Sequence, residues 1–185
     1  MEAVASEVTD LARNLGALLL QRRWRLSVAE SCTAGMVAAA ITSVPGSSAY
    51  FTGGVIAYSN EIKQRVLGVP GKLLREKGAV SAETAAAMAR GVARLCATEC
   101  GIGVSGIAGP DGGTKEKPVG LVFIGIYTRE QAQSFEFNFA GDREKIRTEA
   151  TKAGLGKMME GLESWRVGKL LINTLTHKLM NPLTH

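Results

Sequence analysis

Arg25-Leu26-Ser27-Val28-Ala29-Glu30-Ser31-Cys32-Thr33-Ala34-Gly35-Met36-Val37-Ala38-Ala39-Ala40-Ile41 is the stretch that decides the fold. Residues 25–29 read as a short strand, and residues 30–35 are small and polar. Residues 36–41 read as a helix that Pro45-Gly46 stops. A strand leading through a polar corner into a helix is the unit of α/β packing. Upstream, Val4, Val8, Leu11, Leu15, Leu18 and Leu19 recur at three- and four-residue steps, which predicts a helix from Glu2 to Arg23.

Downstream, Gly53 to Tyr58 reads as a second strand, and Asn60 is placed to cap a short helix through Leu67. Leu73 to Lys77 reads as a short helical piece. Ser81 opens a long Ala-rich helix to about Glu99, with an early acid at Glu83. Gly101 to Ile107 reads as a buried strand, followed by a Gly- and Pro-rich loop, residues 108–118. Val119 to Thr128 and Gln133 to Phe139 read as an antiparallel pair. Within it Phe135, Phe137 and Phe139 alternate with polar residues, so one face is buried. Gly141-Asp142-Arg143 leads into a last helix to about Leu162. The interleaving predicts a three-layer α/β/α sandwich with a mixed β-sheet. One domain is expected over residues 1–165, with residues 166–185 set aside as a tail.

The 185 residues suit one domain with its own core. That core must be mostly aliphatic, since 45% of residues are hydrophobic but only 5% aromatic. A net charge of +5 favours anionic partners through long-range steering, whether polymer or small phosphate. The three cysteines, Cys32, Cys96 and Cys100, do not form a disulfide framework. Cys96 and Cys100 are expected four apart on one helix, as small buried residues. The start lacks a basic region before an apolar run, and no stretch approaches the roughly 20 apolar residues of a membrane span. A soluble, cytoplasmic protein is expected. The two histidines, His177 and His185, both fall in the tail. The body of the chain therefore has no Ser-His-Asp triad, Cys-His pair or histidine-built zinc site.

Four segments could carry chemistry. Ser31 and Cys32 sit at a strand-to-helix junction, where free backbone N–H groups and the helix dipole favour negative charge. Ser31 or Thr33 could equally be a helix cap, and sequence leaves Ser31 and Cys32 open as nucleophile. Tyr58 and Lys63 follow the second strand, at the carboxyl edge where α/β ligand sites gather. Each could accept a proton in a site without histidine. An unperturbed lysine, pKa about 10.4, is neutral in about one molecule in 2,500 at pH 7, and reaching neutrality costs about 4.6 kcal/mol. Residues 103–114 complete neither a G-x-S-x-G elbow nor a Walker A loop, and read as a ligand-shaping segment that includes Gly106. Arg143, at a helix start, is either a phosphate ligand or a surface arginine beside a capping Asp142.

Taken together, Ala29 to Gly35, Tyr58 to Lys63, Gly78 to Ser81, Ser105 to Gly113, Lys117 to Gly120 and Gly141 to Arg143 resemble the CinA C-terminal domain family. The match is in the family's order and covers nearly everything from Val4 to Leu162. Its enzymatic members are nicotinamide-mononucleotide deamidases, and its larger members carry an additional N-terminal domain. The resemblance implies hydrolysis of nicotinamide mononucleotide to nicotinate mononucleotide and ammonia, without metal or cofactor. It implies Ser31 rather than Cys32 as nucleophile, Lys63 as base and Tyr58 assisting. Substrate contacts are implied at Thr33, Ala34, Gly35, Ser48, Gly106 and Arg143, with backbone N–H groups of Thr33 to Gly35 holding the oxyanion. Family members often have Gly at the position of Ala34. Association into at least a dimer is also implied, and no membrane or specific nucleic-acid partner is expected. Rival readings are a non-catalytic nucleotide-binding module and a competence- or damage-associated nucleic-acid protein, although no RRM, KH or basic-helix signature is present.

Overall fold

The computed structural model describes residues 2–129 and 131–180, with side chains over 6–129 and 131–164. Among the described residues, six helices and five strands follow in the order α1 (Glu2–Arg22), β1 (Leu26–Glu30), α2 (Met36–Thr42), β2 (Phe51–Ile56), α3 (Asn60–Arg65), α4 (Gly71–Glu76), α5 (Ala82–Leu95), β3 (Cys100–Gly106), β4 (Leu121–Thr128), β5 (Gln131–Asn138) and α6 (Arg143–Met180). A single 3-10 turn, Ser47–Ala49, precedes β2. The strands form one sheet in the order β2-β1-β3-β4-β5. β1 is parallel to β2 and β3, whereas β3–β4 and β4–β5 are antiparallel. This is the expected mixed sheet between two helical layers.

β1 is buried along its whole length because helices cover both its faces. On one face Leu26 and Val28 join the main core with Leu15 and Leu19 of α1, Ile41 of α2 and Leu155 and Met158 of α6. On the other, Ala29 packs with Met88 and Val92 of α5 and with Leu67 and Leu74. Glycine sets how close α5 lies. Gly103 faces Gly125 across the β3–β4 ladder, and a Cβ at either would meet the Ala85 carbonyl oxygen, at 2.3 and 2.1 Å. A side chain at either position would push α5 off the sheet.

Several boundaries differ from the sequence reading. β2 begins at Phe51 and stops at Ile56, because its glycines are strand residues. A Cβ at Gly54 would strike the Val28 carbonyl oxygen at 2.7 Å. Ser59, not Asn60, caps α3: its side chain accepts from the Ile62 N–H at 3.2 Å. α5 ends at Leu95, and Ala97 turns left-handed (φ 50°), so Cys96 is a helix cap while the buried Cys100 opens β3. The two cysteines therefore do not share a helix face. α6 continues to Met180, beyond the expected end near Leu162. No proline follows Arg143 until Pro182, so nothing in the backbone stops the helix where its amphipathic pattern fades. Much of the expected tail is thus helical, and residues 181–185 lie outside the described residues. Among those described, no helix is long and apolar enough to cross a membrane.

Candidate active site

The carboxyl ends of β1, β2 and β3 converge at the corner that follows Glu30. The Ala57 N–H donates to the Glu30 carbonyl at 2.7 Å, and the Ser31 N–H donates to the Val104 carbonyl at 2.9 Å. These two bonds fasten the first residue of the corner to both neighbouring strands. Ala34 (φ 49°) and Gly35 (φ 101°) then turn left-handed in succession and bring the chain into α2.

Glu30, part of the quoted motif but given no role from sequence, organises this corner. Its carboxylate is 1% exposed and accepts from the N–H groups of Gly35, Val37 and Ala38 at 2.9, 3.1 and 2.8 Å. The first turn of α2 is therefore occupied by the protein's own anion. This corrects the expectation that Gly35 offers a free N–H to an oxyanion. The periodicity of the segment held no signal for it, because a cap five to eight residues upstream of its donors does not fit the usual spacing.

α3 carries Lys63 on its inner face. The side chain is 1% exposed, and its Nζ lies 3.0 Å from Ser31 Oγ, 2.7 Å from the Ala57 carbonyl and 3.2 Å from the Tyr58 carbonyl. Among the described residues it has no carboxylate partner. Burial pushes its pKa below the usual lysine value, opposed only by the proximity of Cys32. The two carbonyls can only accept hydrogen bonds. When Nζ is neutral they take its two N–H bonds, and the lone pair is left facing the Ser31 hydroxyl. Cys32 has no such base. Burial, opposed by backbone N–H groups of Cys32 and Thr33, pushes its thiol up to about 11, which leaves it protonated at neutral pH.

These groups open on a cavity of about 260 Å³ whose walls include Ser31, Tyr58, Lys63, Gly106, Gly109 and Arg143. The Tyr58 side chain is 64% exposed, and its contact with Lys63 is through its backbone carbonyl rather than its phenol. Lys63 reaches Ser31 directly, without a tyrosine relay. Arg143, exposed at the start of α6, donates from Nη1 to the Gly109 carbonyl at 2.7 Å and stands at the mouth. Asp142 caps that helix by accepting from the Lys145 N–H at 2.9 Å.

Two motifs without an assigned role prove to be wall supports. Lys117 donates to the Lys77 and Val80 carbonyls, both at 2.7 Å, and Ser105 donates to the Ala79 carbonyl at 2.7 Å. Arg147, not singled out from sequence, donates to the Thr33 carbonyl at 2.8 Å and holds the corner from α6.

Other expected contacts fall elsewhere. Thr33 is fully buried with its hydroxyl unpartnered, and neither it nor Ala34 or Gly35 lines the cavity. Ser48 is exposed in the 3-10 turn before β2, beside the start of β1, where the Leu26 N–H donates to the Tyr50 carbonyl. It is the length of β1 away from Ser31, about 16 Å at 3.3 Å per residue. Parallel pairing of β1 with β2 puts the entry to β2 at the end of the sheet opposite the cavity. Among the described residues no group of three His, Cys, Asp or Glu side chains is placed to hold a metal.

Fold and site together define an α/β domain with a buried serine–lysine pair at the carboxyl edge of its parallel strands. Residues 8–162 match the CinA C-terminal domain, and the chain belongs to that family. It is 46% identical over 154 residues to a CinA-like protein of Dictyoglomus turgidum, covering 83% of this chain and 38% of that protein. A CinA-like protein of Geotalea daltonii is 48% identical over 154 residues, covering 83% of this chain and 36% of that one. The chain thus spans little more than a third of the length of these relatives. Among solved structures, competence damage-inducible protein A from Klebsiella pneumoniae superposes with a TM-score of 0.82 at 35% identity, covering 85% of this chain and 98% of that one. A competence/damage inducible protein from Agrobacterium tumefaciens superposes with a TM-score of 0.81 at 36% identity, covering 85% of this chain and 96% of that one.

Proposed function

We propose that this domain is an amidohydrolase that converts nicotinamide mononucleotide to nicotinate mononucleotide and ammonia. The observation that carries the reading is the 3.0 Å contact between the buried Lys63 Nζ and Ser31 Oγ, with no carboxylate partner for the lysine among the described residues. The substrate is suggested by the family resemblance.

In this reading neutral Lys63 takes the Ser31 proton as Oγ attacks the carboxamide carbon. The lysine ammonium then gives that proton to the carboxamide nitrogen, which leaves as ammonia. Lys63 next takes a proton from the water that attacks the acyl-enzyme and returns it to Ser31 Oγ as the acid departs. Ala57 and Tyr58 keep the lysine aimed through their carbonyls. Because Glu30 occupies the start of α2, the oxyanion draws its donors from other backbone N–H groups on the cavity wall. Those of Ala108 and Gly109 have no partner among the described residues. Arg143, at the mouth, suits the 5′-phosphate as a charge-assisted donor. The cavity is smaller than the roughly 300–1,000 Å³ of sites that enclose a drug-sized ligand, so it seats the reacting end. Association into at least a dimer remains part of this proposal, and light scattering of the purified chain tests it.

Incubation with nicotinamide mononucleotide, followed by mass spectrometry, should show the one-dalton gain of amide-to-acid conversion. Ser31→Ala should abolish it while retaining the fold. Full turnover by that variant would exclude Ser31 as the nucleophile.

A further inference from the structure

A second and larger cavity, about 660 Å³, lies on the other side of α3, between α5 and the segment that joins α3 to α4. Its apolar lining comes from Leu67, Pro70, Leu73 and Ala87, with the half-exposed Leu95 at its edge. Its volume falls in the range of small-molecule sites. Three arginines line it: Arg65, Arg90 and Arg94.

The charges are arranged unequally. Arg65 is tied to Glu61 at 2.7 Å, and the cavity's one acid, Glu83, is tied to Lys77 at 3.1 Å. The side chains of Arg90 and Arg94 have no hydrogen bond or ion pair among the described residues. They stand four apart on α5, so both face the cavity, about 6 Å apart along the helix axis. Like charges at this spacing disfavour the helix. Arg94 gains from its place in the last turn of α5, where the helix dipole favours a cation, and an anion between the two guanidinium groups would offset their mutual repulsion. Arginine is the residue suited to this role, since its planar fork grips phosphate oxygens in pairs.

We propose that this groove binds a nucleoside di- or triphosphate, with the polyphosphate across Arg90 and Arg94 and the nucleoside on the apolar lining. A concave site of this size fits a small molecule, and an apolar lining beside paired cations fits a ligand with both an anionic and a planar apolar part. The proposal is independent of the chemistry at Ser31.

The test is calorimetric titration of the purified chain with adenosine triphosphate and with inorganic triphosphate. Adenosine triphosphate should bind, and inorganic triphosphate should bind at least about tenfold more weakly, because it lacks the part that fills the apolar lining. Arg90→Ala combined with Arg94→Ala should weaken nucleotide binding at least about tenfold. Both sites are exposed helix positions where alanine preserves the fold, and circular dichroism verifies this. Arg143→Ala, at the other cavity, should leave the affinity unchanged. Absence of binding at millimolar nucleotide, binding insensitive to the double substitution, binding abolished by Arg143→Ala, or equal affinity for inorganic triphosphate would each overturn the proposal.

Discussion

Lys63 and Lys152 are both little-exposed helical lysines, at 1% of the residue and 14% of the side chain, and the fold drives their proton affinities in opposite directions. Lys152 of α6 reaches Glu7 of α1 at 2.6 Å and Glu149 at 3.2 Å, and these carboxylates raise its pKa. Lys63 has a hydroxyl and two carbonyls for company, and burial lowers its pKa. The contrast extends to the regions around them. The α1–α6 face obeys ordinary surface rules of pairing and helix spacing. The corner at residues 30–35 contains a buried carboxylate and a left-handed alanine, and against it lies a buried lysine with no carboxylate partner among the described residues, the kind of local rule-breaking expected where function resides.

The sharpest way to break the comparison is to remove each amine. Lys63→Met should lower amide hydrolysis by about 10²–10⁴-fold, the usual worth of a positioned general base. Lys63→Arg should not rescue it, because a guanidinium does not give up its proton. Activity near wild type in either variant would remove Lys63 from the base role. Stability should respond with a defined sign. The folded-state pKa of Lys63 lies below its unfolded value of about 10.4. Between these two values the unfolded chain binds more protons, so stability relative to Lys63→Met rises with pH across that window and is flat below it. Urea titrations of both proteins over that range test the slope, and an opposite slope would mean that Lys63 is stabilised as the ammonium.

Glu30 supplies the next largest effect. Glu30→Ala leaves three N–H groups at the start of α2 without their acceptor and should cost about 2–3 kcal/mol in denaturant unfolding. Glu30→Gln, which keeps an acceptor but loses the charge, should cost less. A neutral outcome for both would show that the corner does not depend on this cap.

Ala34→Gly works the other way. Removing Cβ from a residue at φ 49° relieves left-handed strain of about 1–2 kcal/mol, partly offset by the greater freedom of the unfolded chain. A net gain of roughly 0.5–1 kcal/mol is expected from thermal unfolding. The smallest effect is reserved for Lys152→Ala. Its ion pairs involve a partner as exposed as Glu7, so a change of a few tenths of a kcal/mol and unaltered hydrolysis are expected. A large loss there would erase the distinction between the two regions.

Where local pattern and final structure agree, the information was short-range. The alternation of Phe135 and Phe137 is that of β5, with Phe139 one residue beyond it, and Ser81 caps α5 through the Thr84 N–H. Where they differ, the deciding contact was distant or geometric. Gly53 and Gly54 looked like an entry to a strand and are inside it, because Gly54 lies against Val28 of β1. The family resemblance implies a substrate contact at Ser48, yet parallel pairing carries it to the far end of the sheet. The acceptor of the α2 donors, Glu30, was in plain view, but only the tertiary turn aims its carboxylate at them.

The amino-acid sequence by itself determined the alternation of strands and helices and the absence of any histidine base from the body of the chain. Both follow from composition and short-range periodicity. Tertiary structure alone decided which of two adjacent side chains, Ser31 or Cys32, meets the lysine, and that this lysine has no carboxylate partner among the described residues. The reason is physical. Proton affinity depends on solvent and charge within a few ångströms, and those neighbours come from β1, the end of β2 and α3, which only folding brings together.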